Sequence, residues 1–179
     1  MSDVIALRRN TVSVEFLSKD YRITCEVSVR EQPLVDTLND RLTQFITADN
    51  VYISPVNDPT VFLAQRAQAV LRKDQITLAV LRREEDGYAR HTIYRNMGHL
   101  PVAYTLTAIL PGMEIRGGLK LATMVEADTM MMQSPDRFLT TYYATATLVD
   151  HREMQFAGGA VLVNREHAQM LFVEKKQEK

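Results

Sequence analysis

The feature that most constrains this chain is that it runs through the same pattern twice. Arg22–Val29 reads RITCEVSV and Glu114–Leu121 reads EIRGGLKL, and laying Ile23 on Ile115 sets an offset of 92 residues. The same offset puts Asp36-Thr37 on Asp128-Thr129 and Leu71-Arg72-Lys73-Asp74-Gln75 on Val163-Asn164-Arg165-Glu166-His167. Phe45-Ile46-Thr47 meets Phe138-Leu139-Thr140 after one inserted residue, which is the drift expected of a loop between duplicated copies. Whatever fold one copy takes, the other has to take as well.

Each copy reads as a small β-rich unit. Val12, Val14 and Phe16 alternate with Ser13 and Glu15, and Ile23, Cys25, Val27 and Val29 alternate after the turn-forming Ser18-Lys19-Asp20, so a hairpin is expected. In the second copy Tyr104, Leu106, Ala108 and Leu110 run into Pro111-Gly112, and Ile115, Gly117, Leu119 and Leu121 resume the alternation. A short helical step follows each hairpin, over 34–42 and 125–133. Strands are expected over 45–53 and 138–148, and closing strands over 69–81 and 160–173. The polar triplets Lys73-Asp74-Gln75 and Arg165-Glu166-His167 break the closing strands as a tight turn or a bulge. The predicted fold class is β-dominated α+β: two tandem small sheet or partly open barrel modules, packed as a pseudo-twofold pair descended from a homodimer. The first repeat covers 1–81, a linker 82–101, the second repeat 102–173 and a charged tail 174–179.

A chain of 179 residues with 46% apolar composition buries about 70% of the surface its unfolded chain exposes, so it needs neither a metal nor a disulfide for stability. With 21 Lys and Arg against 22 Asp and Glu, a phosphate backbone is not expected as the dominating partner. The single cysteine, Cys25, sits in an apolar alternation and reads as a buried thiol in a reducing compartment. There is neither a secretory signal nor a run of apolar residues long enough to cross a bilayer, so the expected location is cytoplasmic.

The residues that could carry chemistry mostly have plainer explanations. His91, His99, His151 and His167 lack metal-ligand spacing, and Asp150–Glu153 reads as a hairpin loop. Gly117-Gly118 and Gly158-Gly159 lack the context of a phosphate loop and fit bulges or close backbone approach. No nucleophile motif is present around Cys25, Ser54 or Ser134, so no enzyme activity, cofactor or metal is expected.

Two clusters remain as candidate interaction sites. Met124, Met130, Met131 and Met132 form a soft, adaptable run that serves either as core filling or as a partner interface. Arg82, Arg83, Arg90 and Arg95, interleaved with Tyr88 and Tyr94, together with Arg8-Arg9, are the residues that would meet an RNA backbone and stack on bases; the acidic Glu84, Glu85 and Asp86 beside them favour a solvated linker.

The strand Val161-Leu162-Val163-Asn164-Arg165-Glu166-His167, with Phe138-Leu139 before it, resembles the closing strand V-L-V-N-R-[DE] of an uncharacterised bacterial domain family. The resemblance covers most of the second copy, thins out at Leu71-Arg72-Lys73-Asp74 in the first, and implies no activity. Ile115-Arg116-Gly117-Gly118-Leu119 is more loosely similar to the first signature of Sm-like barrels, which implies RNA binding. The expected function is therefore a non-catalytic protein-interaction or scaffold module, with a protein partner or self-association through strand edges or the methionine run. The alternatives are an Sm-like single-stranded RNA-binding protein and a small-ligand sensor with a pocket between the repeats.

Overall fold

The computed structural model describes residues 10–176. Alternating burial makes the first hairpin: β1 (Thr11–Leu17) points Val12, Val14 and Phe16 to one side, and β2 (Tyr21–Ser28) adds Cys25 and Val27. Ser18 closes the turn, its N–H donating to the Tyr21 carbonyl at 2.9 Å and its hydroxyl oxygen accepting from the Tyr21 N–H at 3.0 Å. Pro33 leads into α1 (Leu34–Asn39), which buries Leu34, Val35 and Leu38. Then come β3 (Phe45–Pro55), β4 (Ala64–Arg72), a 3-10 turn at Lys73–Gln75 and β5 (Leu78–Leu81). Residues 82–101 hold a 3-10 turn at Glu84–Gly87, α2 (Arg90–Tyr94) and a 3-10 turn at Met97–His99. The second half follows as β6 (Tyr104–Leu110), β7 (Met113–Leu119), α3 (Ala127–Met132), β8 (Phe138–Leu148), β9 (Gln155–Asn164), a 3-10 turn at Arg165–His167 and β10 (Met170–Lys175).

All ten strands form one antiparallel open sheet in the order β10-β6-β7-β8-β9-β5-β1-β2-β3-β4. The strand order and register of one half recur in the other. Val14↔Leu81 in β1–β5 corresponds to Leu106↔Val173 in β6–β10, and Phe45↔Arg72 in β3–β4 corresponds to Phe138↔Asn164 in β8–β9. Each half also carries one bulge at the same place, with Asn50 and Tyr143 at φ 51° and 50°.

Two expectations need correcting. No pairing among the described residues closes either half into a barrel; the sheet runs on through the β9–β5 junction. A twofold pair would also join equivalent strands, β5 to β10 or β4 to β9. The junction instead joins β9 to β5, so the halves follow one another head to tail. Each half has five strands, an odd number, so antiparallel pairing reverses strand direction from one half to the next.

The core divides accordingly. On one face Phe16, Leu34, Leu38, Ile46, Ala79 and Leu81 form one cluster, joined by Ala160 and Leu162 of β9. On the other face Leu106, Leu110, Met113, Ile115, Val161 and Val163 form a second, joined by Leu78 and Val80 of β5. Each junction strand therefore contributes to both cores. Among the described residues no helix is long and apolar enough to cross a membrane.

Candidate functional site

The polar triplets sit at the corners between strands, and each corner residue ties down a helix and its exit loop. Lys73, fully buried, donates from Nζ to the Asp40 carbonyl at 3.0 Å, to Thr43 Oγ1 at 2.7 Å and to the Thr37 carbonyl. Its counterpart Arg165 donates to the Ser134 carbonyl at 2.7 Å and to the carbonyls of Met131 and Asp136. A cation at this corner satisfies carbonyls that a short helix and its loop leave open. His167 links the corners across the junction, with Nε2 2.7 Å from the Asp74 carbonyl and Nδ1 3.0 Å from Thr77 Oγ1.

The densest polar cluster lies where residues 82–101 cross the second half. The Glu84 carboxylate pairs with Lys120 and accepts from the hydroxyls of Tyr88 and Tyr143. Lys120 also donates to the Gly98 carbonyl at 2.5 Å and stands 5.5 Å and 5.0 Å from the ring centroids of Tyr88 and Tyr142, which meet edge to face at 6.0 Å. Burial pushes Glu84 up, but the hydrogen bonds from Lys120, Tyr143 and Tyr88 outweigh it and hold the carboxyl below its ordinary value. Burial and then Glu84 push the Tyr88 phenol up, and burial does the same to Tyr142. At neutral pH Glu84 is therefore ionised while both phenols keep their protons, and the cluster acts as a latch.

The glycine pair Gly158-Gly159 makes this crossing fit. A Cβ on Gly159 would come within 2.6 Å of the Glu84 nitrogen and one on Gly158 within 2.4 Å of the Leu81 carbonyl, so only glycine lets residues 81–84 pass so close to β9. Beside the latch lies an open depression of about 730 Å³ whose lining includes Arg116, Tyr142, Tyr143, Glu174, Lys175 and Lys176. It belongs wholly to the second half, so the pocket expected between the repeats is not where this concavity lies. Among the described residues no three His, Cys, Asp or Glu side chains gather as a metal site requires.

The structure disperses the arginine and tyrosine set. Tyr88 is spent in the latch, Arg83 pairs with Glu85, and Arg90 donates to the Glu31 carbonyl at 2.8 Å while its N–H donates to Asp36 at 2.7 Å. Arg82, Tyr94 and Arg95 are exposed, and Arg8 and Arg9 lie outside the described residues. The methionines divide as well: Met130 is buried, Met131 half-buried, and Met124 and Met132 are exposed, Met132 at 81%.

What periodicity does not display is the state of the two outer strands. Among the described residues β4 and β10 each have a neighbour on one side only. Along these edges Val70 is 64% exposed, Met170 54% and Phe172 45%, while Leu71, Leu171 and Val173 are partly buried against their own cores. The loop into β4 adds exposed Val61, Phe62 and Leu63. Which strands become the edges is not legible in the sequence, because strand order is set by pairing. The match of Leu71 to Val163, whose strand is buried, is the one signal that a covered strand is the pattern here.

No family model matches this chain, and no curated protein and no solved structure is significantly similar to it. What the protein does has to be read from its own geometry.

Proposed function

We propose that this protein is a non-catalytic assembly module, made by tandem duplication of a five-strand unit, that takes up protein partners along the free edges of its sheet. The observation that carries this reading is the pair of edge strands, without an outer partner among the described residues, that bear exposed Val70, Met170 and Phe172. An edge strand offers a row of free backbone donors and acceptors, and a soluble protein ordinarily blunts it with charge, proline or cover. Here β4 is charged or polar at Gln65, Arg66 and Gln68 but apolar at Ala69–Leu71, and β10 is apolar from Met170 to Val173. Addition of a further strand gives affinity through main-chain hydrogen bonds and specificity through alternate side chains. Exposed Met124 and Met132 extend the apolar surface near α3. The buried free thiol of Cys25 is in keeping with work in a reducing cytoplasm.

The test is to compare native complexes of the wild-type chain with those of a Val70→Lys/Phe172→Lys double variant in the host cell. Both side chains are exposed, so the variant is expected to keep the wild-type melting temperature and to run at the monomer position, whereas wild type runs in larger complexes. Unchanged complexes would remove the edges from the account.

A second reading has one observation in its favour: the depression combines Arg116, Lys175 and Lys176 with the exposed ring of Tyr143, held in left-handed backbone. That suits stacking and phosphate contact with single-stranded RNA. Binding of a labelled oligonucleotide that weakens steeply with salt supports it, and no binding at low salt removes it.

A further inference from the structure

The chain already contains one example of how its edges pair. At the junction the equivalent of β4, which is β9, lies against the equivalent of β10, which is β5, with Leu78↔Val163, Ala79↔Leu162, Val80↔Val161 and Leu81↔Ala160 opposite one another. Among the described residues the two strands left without such a neighbour are β4 and β10 themselves. We infer that copies of this chain join head to tail, β4 of one copy pairing antiparallel with β10 of the next as β9 pairs with β5 inside the chain. This rests on the edge-strand reading above and names its partner as a second copy.

The register follows from the correspondence between the halves. Moving each internal pair by the offset between copies places Leu71 opposite Met170, Val70 opposite Leu171, Ala69 opposite Phe172 and Gln68 opposite Val173. At the internal junction Leu78 and Val80 of β5 reach into the core of the other half, and Ala160 and Leu162 of β9 reach back. Their counterparts are Met170 and Phe172, and Gln68 and Val70. All four are exposed, and three are large apolar side chains that the joint would bury in the neighbour's core. The exposed apolar residues of the edges are thus those the internal template buries.

One part of the template is not reproduced. Where Gly158-Gly159 admits the crossing of residues 81–84, β4 has Arg66 and Ala67, so the joint between copies copies the strand pairing without the crossing. It should accordingly be weaker than the covalent junction and respond to concentration.

The mode of growth is also set. The joint is heterologous, and heterologous contacts close into rings only when successive rotations add up. Here the halves bury their cores on opposite faces of the sheet, so their curvatures oppose, and the assembly is an open chain.

The two ends can be blocked separately. Val70→Lys spoils β4 and leaves β10 intact; Phe172→Lys does the reverse. Sedimentation of purified protein from nanomolar to high micromolar concentration is expected to show a growing series of oligomers for wild type. Each single variant should remain monomeric, and an equimolar mixture of the two should stop at the dimer, one intact β4 meeting one intact β10. Unchanged melting temperatures exclude a folding defect. Wild type that stays monomeric throughout overturns the inference. So does a single variant that still self-associates, because β4–β4 or β10–β10 contact would then be in play. If wild type is monomeric when pure but the double variant still loses its complexes in the cell, the edge reading stands and its partner is another protein.

Discussion

Cys25, Glu84 and Tyr143 each show what its immediate surroundings do to a side chain. Burial, followed by the charges of Asp49 and Glu26, raises the Cys25 thiol to about 12, so the nucleophilic thiolate is scarce at neutral pH. A thiol reagent such as DTNB is expected to react with Cys25 only after unfolding; stoichiometric reaction of the native protein would mean that β2 opens readily. For Glu84 the folded state holds the carboxyl below its ordinary 4.5, so its contribution to stability is complete above that pH and fades as pH falls through the depressed value. Glu84→Gln should thus destabilise at pH 7, by about 1–3 kcal/mol for hydrogen bonds to a mostly buried charged group, and the gap to wild type in urea unfolding should narrow in acid. Tyr143 sits at φ 50°, where Asn50 sits in the other half without difficulty. Left-handed backbone costs about 1 kcal/mol at a residue with a bulky Cβ substituent and less at Asn. Tyr143→Asn is expected to leave the melting temperature equal or slightly higher; a clear fall would show that the bond to Glu84 outweighs the strain.

At the scale of elements, the corners between strands matter more than helix propensity. α1 and α3 have six residues each, too short to be stable alone, and neither has a side-chain cap at its start. A cation holds each of them, fully buried Lys73 in one half and half-buried Arg165 in the other. Lys73→Met keeps the length of the stem but strips donors from the Thr37 and Asp40 carbonyls and the Thr43 hydroxyl, with an expected loss of about 3 kcal/mol. Chemical denaturation measures it, and a loss below about 1 kcal/mol would mean that water replaces the amine. The sequence repeat showed that Lys73 and Arg165 occupy equivalent positions, because cation follows cation at the offset of 92. It did not show that they cap helices, since the carbonyls they meet lie far away along the chain, 33 residues for Asp40 and 31 for Ser134.

At the scale of the molecule, shared strands couple the halves. Leu78 and Val80 complete the second core, Ala160 and Leu162 the first, and Asn39 of α1 bonds both main-chain groups of Phe138 in β8 at 2.7 Å and 3.2 Å. A single cooperative unfolding transition is expected, with circular dichroism and tyrosine fluorescence tracing one curve. The fragment 102–179, deprived of β5 against β9, should not fold alone. Two separated transitions, or a soluble folded fragment, would show that each half is self-sufficient.

The sequence by itself determined the local elements and their repetition: the alternation that makes the hairpins, β8 to the residue over 138–148, and the one-residue insertion that keeps the halves in step. Those are short-range properties, carried by period-two burial and turn chemistry. Only the tertiary structure decided that ten strands form one open sheet, that the halves meet head to tail, that residues 82–101 latch onto the second half through Glu84 and Lys120, and that β4 and β10 are left as edges. The physical reason is that alternation states which side chains face a core, while the partner of a strand's backbone is chosen by contacts far away in the chain.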